Sequence, residues 1–131
     1  MLTSFAFLNK DYYTSKETKM NKDYIKHYKQ ALDLFTSENN EEKAIEEYKK
    51  SIKMNPYYAQ AYYDLAYIYS LKNELKFSID CYKAYLTFNP DAKDKSEVIS
   101  TINKLKYKSE INNIMSRLKP ETVSERSYLA C

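Results

Sequence analysis

The residues able to do covalent or acid–base chemistry are few and far apart in this chain of 131 residues. His27 is the single histidine, and Cys81 and Cys131 are the only cysteines, 50 positions apart with no CxxC pair. Catalysis needs a nucleophile, a base and an electrostatic stabiliser converging on one point. A metal site needs several His, Cys, Asp or Glu at ligand spacing. The sequence offers neither pattern. It has no glycine, so a loop of the phosphate-cradling kind cannot be built. Carboxylates are plentiful, but Glu41, Glu42, Glu46 and Glu47 read as the solvated face and first turn of a helix, where acids suit the dipole. The cysteines read as one semi-buried helix thiol and one free terminal thiol, with neither a disulfide nor a metal role. The expectation is a protein that is not an enzyme and that uses no cofactor and no metal.

Binding chemistry is better represented. Tyrosine occurs 15 times, and its ring can be buried while its hydroxyl reaches solvent or a partner. Charge is uneven: residues 25–92 carry nine Lys against ten Asp plus Glu, whereas residues 93–119 carry seven Lys plus Arg against three acids. The basic excess belongs to the C-terminal segment. Its stretch Lys104–Lys108 (KLKYK), with Arg117 and Lys119, has the lysine-plus-aromatic make-up that contacts phosphates and stacks a base. A solvated helix face has the same make-up. The apolar start Leu2–Leu8 (LTSFAFL) lacks a basic leader and a cleavage site, and no stretch approaches membrane length. With the cysteine count, these features predict a cytoplasmic protein.

The elements that must position these residues follow from a repeat. Pro56 and Pro90 stand 34 residues apart, and the chain before each carries the same apolar arrangement. Tyr28, Ala31, Leu32, Phe35, Ala44, Tyr48 and Pro56 align without a gap on Tyr62, Leu65, Ala66, Tyr69, Ser78, Tyr82 and Pro90. A fixed period of this length marks a stacked helical array. Within the first copy, Tyr24, Tyr28, Ala31, Leu32 and Phe35 recur at helical spacing, as do Ala44, Ile45, Tyr48 and Ile52. Ser37–Asn40 separates the two helices. With no glycine available, asparagine is the next best residue for the left-handed turn that ends a helix, and Asn73 has that role in the second copy. Asn39 with Glu42 resembles a capping box. Asn55-Pro56 and Asn89-Pro90 are each read as closing one helix and opening the next. Ala31, Ala44, Ala66 and Ser78 supply clearance for close helix crossings, and the large rings fill the volume around them.

Over residues 25–92 the chain resembles the tetratricopeptide repeat, whose pattern is Trp-x2-Leu-Gly-x2-Tyr, then Ala-x3-Phe, then Pro. Tyr28 and Tyr62 replace Trp, Ala31 and Leu65 occupy the Leu site, and Leu32 and Ala66 the Gly site. Leu32 is the main departure and is predicted to widen the first crossing. The resemblance implies an all-α fold, an α-solenoid of two helix-turn-helix repeats spanning 25–58 and 59–92. It also implies a concave groove lined by the first helix of each repeat. By that resemblance the groove holds Lys26, Lys29, Gln30 and Asp33 from the first repeat, and Gln60, Tyr63, Asp64, Tyr67 and Leu71 from the second. Tyr63, Tyr67 and Leu71 form a stripe that the packing pattern does not need: either an aromatic anchor strip for a peptide or helix, or a strip covered by the chain's own termini. Lys29 matches a lysine with which some members clamp a peptide carboxylate. However, Asp33 and Asp64 stand where that clamp has asparagine, which points instead to a peptide of mixed charge.

Flanking the repeats are an N-terminal extension (residues 1–24), a capping and terminal region (93–119) and a flexible tail (120–131). Val98, Ile102 and Leu105 form a stripe that can seal the second repeat. Tyr107, Ile111, Ile114 and Leu118 form another on the opposite side, so the sequence predicts a break or bend near Lys106 and a further short helix that folds back or meets a partner. Two repeats are marginal, because such arrays need about three stacked units to bury a continuous core. The functional expectation is a non-catalytic protein–protein interaction module, a small adaptor or assembly factor, with no membrane role. The alternatives are a self-associating subunit, a homo-oligomer, or a nucleic-acid binder acting through the basic segment.

Overall fold

Helix follows helix along the described chain, because no Gly occurs and both Pro56 and Pro90 fall in turns between helices and not inside one. The computed structural model describes residues 23–118. They form α1 (residues 23–36), α2 (Glu41–Met54), α3 (Ala59–Leu71), α4 (Leu75–Phe88) and α5 (Lys95–Leu118). Consecutive helices pack on one another, α2 on α3, α3 on α4 and α4 on α5. The expectations for Leu2–Leu8, Lys119, Cys131 and the two chain ends lie outside the described residues.

The small residues sit at the crossings. Ala31, Ala44, Ala66 and Ser78 are all 0% exposed. Ser78, which stands where the first repeat has Ala44, also donates its hydroxyl to the Ala66 carbonyl at 2.7 Å, so its buried oxygen is satisfied. Around these contacts the apolar side chains form two clusters. The first joins Ala31, Ala44, Ile45, Tyr48, Ala61, Leu65, Ile68 and Tyr69. The second joins Ala66, Ile79, Tyr82 and Tyr85 to Val98 and Ile102 of α5. Cys81 packs against both. The start of α5 therefore completes the second repeat's core.

Because Ala44 has no free surface, a larger side chain has nowhere to go. Ala44→Leu is expected to push α1 and α2 apart and destabilise the fold by roughly 1–3 kcal/mol, as overpacking does. Thermal melting followed by circular dichroism checks it. An unchanged midpoint would show that the crossing yields freely.

The turns depend on asparagine. Asn39 has φ 51° and Asn73 φ 60°, the left-handed conformation that glycine supplies elsewhere. The Asn40 amide reaches back to the Leu34 carbonyl at 2.8 Å, closing the end of α1. Several sequence expectations are corrected here. The cap of α2 is Asn40, whose side chain accepts from the Lys43 amide at 3.1 Å; Asn39 cannot cap because it carries the left-handed turn. Glu42 instead pairs with Lys72 across to the end of α3. Asn55 and Asn89 end α2 and α4 but do not cap the helices that follow. The Asn55 side chain accepts from the Tyr57 amide at 3.1 Å, which holds Pro56 in a turn, and α3 begins only at Ala59.

Leu32 is 38% exposed, whereas the neighbouring Ala31 is fully buried, so the enclosed contact of α1 falls on Ala31. The further short helix is also corrected. Residues Lys95–Leu118 form one helix with no break near Lys106. No Pro or Gly lies in it, and a change of apolar face removes burial without removing a backbone hydrogen bond.

Candidate functional site

Between the first helices of the two repeats lies a cleft of about 280 Å³. Leu32, Phe35 and Thr36 of α1 form one wall, Tyr63, Asp64 and Tyr67 of α3 the other, and Tyr48 of α2 reaches in behind them. Helical spacing explains the set. Leu32 and Thr36 lie one turn apart on α1, and Tyr63 and Tyr67 one turn apart on α3. Phe35 meets Tyr67 edge-on, their ring centroids 6.1 Å apart. Even so, Tyr67 remains 48% exposed.

Asp64 is the one carboxylate on this lining. It accepts from the Tyr28 hydroxyl at 2.7 Å, from Gln60 Nε2 at 3.1 Å and from the Tyr48 hydroxyl at 3.5 Å. Burial pushes its carboxyl above the usual range, although these three donors pull the other way. Burial likewise raises the phenols of Tyr28 and Tyr48, and the bonded carboxylate adds to the effect. Asp64 therefore ties α3 to both helices of the first repeat while presenting negative charge within the cleft.

The residues expected in the groove are not all brought together. Asp64, Tyr63 and Tyr67 line the cleft. Leu71 is exposed one turn beyond Tyr67, outside that lining, and Lys26 and Lys29 are exposed on α1 and also outside it. Asp33 lines a separate cleft of about 320 Å³ with Gln30, Leu34, Glu38 and Glu47. Asp33 and Asp64 thus do not share one surface. The two tyrosines also part company. Tyr63 is half-buried by its own chain, with ring centroids 5.6 Å from Tyr82 and 5.1 Å from Tyr85, while the Tyr85 hydroxyl is fixed by Asp94 at 2.8 Å.

Leu32, Phe35, Thr36 and Tyr48 are cleft residues that the packing pattern alone does not mark as such. One signal was present: leucine at position 32, where the repeat has a small residue.

Other reactive groups are occupied structurally. His27 Nδ1 lies 2.5 Å from Glu47 Oε2, joining α1 to α2. Burial alone would raise the Glu47 carboxyl, but the bonds from His27 and Lys50 outweigh it and leave it lowered. Burial pushes the Cys81 thiol up to about 11, so it carries little thiolate near neutral pH. Among the described residues no group of three or more His, Cys, Asp or Glu is placed to hold a metal ion, and no helix is long and apolar enough to cross a membrane. On α5, Lys104 and Lys108 lie on one side and Lys106 and Arg117 on the other, at about 100° per residue.

Two family matches overlap over residues 59–73 and together span residues 33–92. Residues 33–73 match the family described as TPR repeat, and residues 59–92 the family described as tetratricopeptide repeat. No curated protein matches the chain. Repeats of this kind are in general non-catalytic protein–protein interaction modules.

Proposed function

We propose, because the chain belongs to the tetratricopeptide-repeat family, that it is a small adaptor or assembly factor holding a peptide or helix of another protein in the α1–α3 cleft. One observation carries this reading. Tyr67, Leu32 and Phe35 form an apolar surface that is open to solvent at Tyr67 and Leu32 and surrounds a single carboxylate. Exposed aromatic and aliphatic side chains around a concavity are the residues from which binding hot spots are made.

The size and charge of the cleft narrow the ligand class. At about 280 Å³ it lies just under the ~300–1,000 Å³ of small-molecule sites, and suits one or two anchoring side chains. Asp64 favours a ligand that brings a hydrogen-bond donor or a basic side chain, and repels a terminal carboxylate. The reading is therefore an apolar anchor flanked by a donor, with Leu71 extending the apolar path beyond Tyr67.

Selection of a displayed random-peptide library on the intact chain tests this. A synthetic copy of the strongest selected peptide is then titrated against variants. Tyr67→Ala is expected to cost about 2–4 kcal/mol in binding, the range of aromatic hot spots. Its melting midpoint should move little, because the ring is half in solvent. Tyr63→Ala should instead lower the midpoint, because Tyr82 and Tyr85 lose a packing partner. Selected peptides that bind Tyr67→Ala as well as the parent would refute the cleft as the binding site.

A further inference from the structure

The far end of α5 has no role in the two repeats. At about 1.5 Å per residue, its 24 residues extend about 36 Å, against about 21 Å for the 14 of α4 on which it packs. Burial ends early: Val98 and Ile102 are in the second core and Leu105 packs against it. Beyond that, Tyr107 is 67% exposed, Ile114 54%, Met115 60% and Leu118 58%, with Ile111 also exposed. A helical segment of this length is marginal in water without tertiary packing. This one presents an apolar stripe.

The spacing of that stripe has a specific meaning. Tyr107, Ile111, Ile114 and Leu118 are separated by four, three and four residues, the alternation of a coiled-coil seam. The series reads the same in both directions. An antiparallel copy of the helix can therefore meet it about a two-fold axis passing between Asn112 and Asn113. Ile111 then faces Ile114 of the second copy, and Tyr107 faces Leu118 of the second copy.

Charge selects the same arrangement. Glu110 and Arg117 flank the seam on one side, seven residues and about 10 Å apart along the helix, too far to pair with each other. Both are exposed, and neither is in an ion pair among the described residues. In the antiparallel arrangement each Glu110 lies against Arg117 of the other copy, giving two equivalent ion pairs. On the opposite flank, the stem of Lys108 covers Met115 of the other copy. A parallel pair has no such match, since Glu110 would then lie against Met115.

We propose that the chain self-associates through residues 107–118 as an antiparallel two-fold pair, leaving the α1–α3 cleft of each copy free. The two binding surfaces are separate, so this pairing stands or falls independently of the cleft. An interface of about three turns per copy falls below the size of stable dimers, and a dissociation constant of roughly 10–100 µM is expected.

Sedimentation equilibrium of the full chain from ~10 µM to ~1 mM measures the association. Glu110→Arg and Arg117→Glu are each expected to weaken it about tenfold or more, because each places like charges together twice. An equimolar mixture of these two variants should regain parental affinity as a heterodimer, as should one chain carrying both changes. Ile114→Lys should leave a monomer whose helical spectrum and melting midpoint match those of the parent at concentrations below the dissociation constant. A parent chain still monomeric at ~1 mM overturns the proposal. So does a dimer that both single charge reversals leave intact, or a variant mixture that associates no better than its components. If Ile114→Lys lowers the melting midpoint of a monomeric parent, the stripe is covered by the chain itself and the pairing is refuted.

Discussion

Replacing Tyr48 with Ala is expected to destabilise the fold by about 3–5 kcal/mol, the usual cost of deleting a buried ring. Tyr48 is 1% exposed and sits at the meeting point of three helices. Its ring centroid is 5.8 Å from that of Tyr28, and its hydroxyl reaches Asp64. The loss is a large share of the ~5–15 kcal/mol that holds a domain together, and at about 4–8 °C per kcal/mol it lowers the melting midpoint by more than ~12 °C. Tyr48→Phe is the informative control. It keeps the ring and removes only a 3.5 Å hydrogen bond, so it should cost under about 1 kcal/mol. If both substitutions cost the same, the hydroxyl and not the packing dominates, and the account of the first core is wrong.

Raising the pH above 10 is expected to unfold the protein cooperatively, with its tyrosines as the cause. Burial pushes the Tyr82 phenol up to about 12, and pushes Tyr28 and Tyr48 further in the same direction. A phenol whose folded pKa is raised contributes stability that is fully present below its unfolded value of about 10. As the pH climbs past that value, the unfolded chain releases the proton and the folded chain retains it, so stability falls until the folded pKa is passed. For Tyr82 alone the loss is roughly 2–3 kcal/mol by pH 12. Adding the phenols bonded to Asp64 brings the total to the scale of the whole stability. Helical circular dichroism should vanish between about pH 10 and 12, together with a steep rise in tyrosinate absorbance. A smooth titration of all phenols near pH 10 with the helices intact would contradict this.

Much of the architecture was legible because it rests on size and period. Ala31, Ala44, Ala66 and Ser78 recur where two helices must touch, and each is fully enclosed. Asparagine was readable as the left-handed turn residue because the chain has no glycine to take that role, and Asn73 stands there as expected. The capping residue was missed by one position. Asn39 and Asn40 offer the same side chain, and only the backbone path assigns one to the turn and the other to the cap.

The site was less legible, since local spacing does not determine what approaches a helix from elsewhere. Tyr63 and Tyr67 fall on one stripe in the sequence, yet Tyr82 and Tyr85 of α4 lie against the first and leave the second open. The bond from Tyr28 to Asp64 joins residues 36 positions apart. No periodicity announces it, and it makes a carboxylate expected only as a groove charge a brace between repeats as well. Asp33, assigned to the same groove by family resemblance, lines a separate cleft. For α5, two apolar stripes on opposite sides suggested a break, but a stripe records where burial is sought and not where the backbone turns.

The most direct test of the central claim is amide NMR of the labelled chain titrated with the peptide selected on it. The account predicts shift changes concentrated at Leu32, Phe35, Thr36, Asp64 and Tyr67, the two walls of the α1–α3 cleft. Changes confined instead to Gln30, Asp33 and Glu38, or to residues 107–118 of α5, would contradict it.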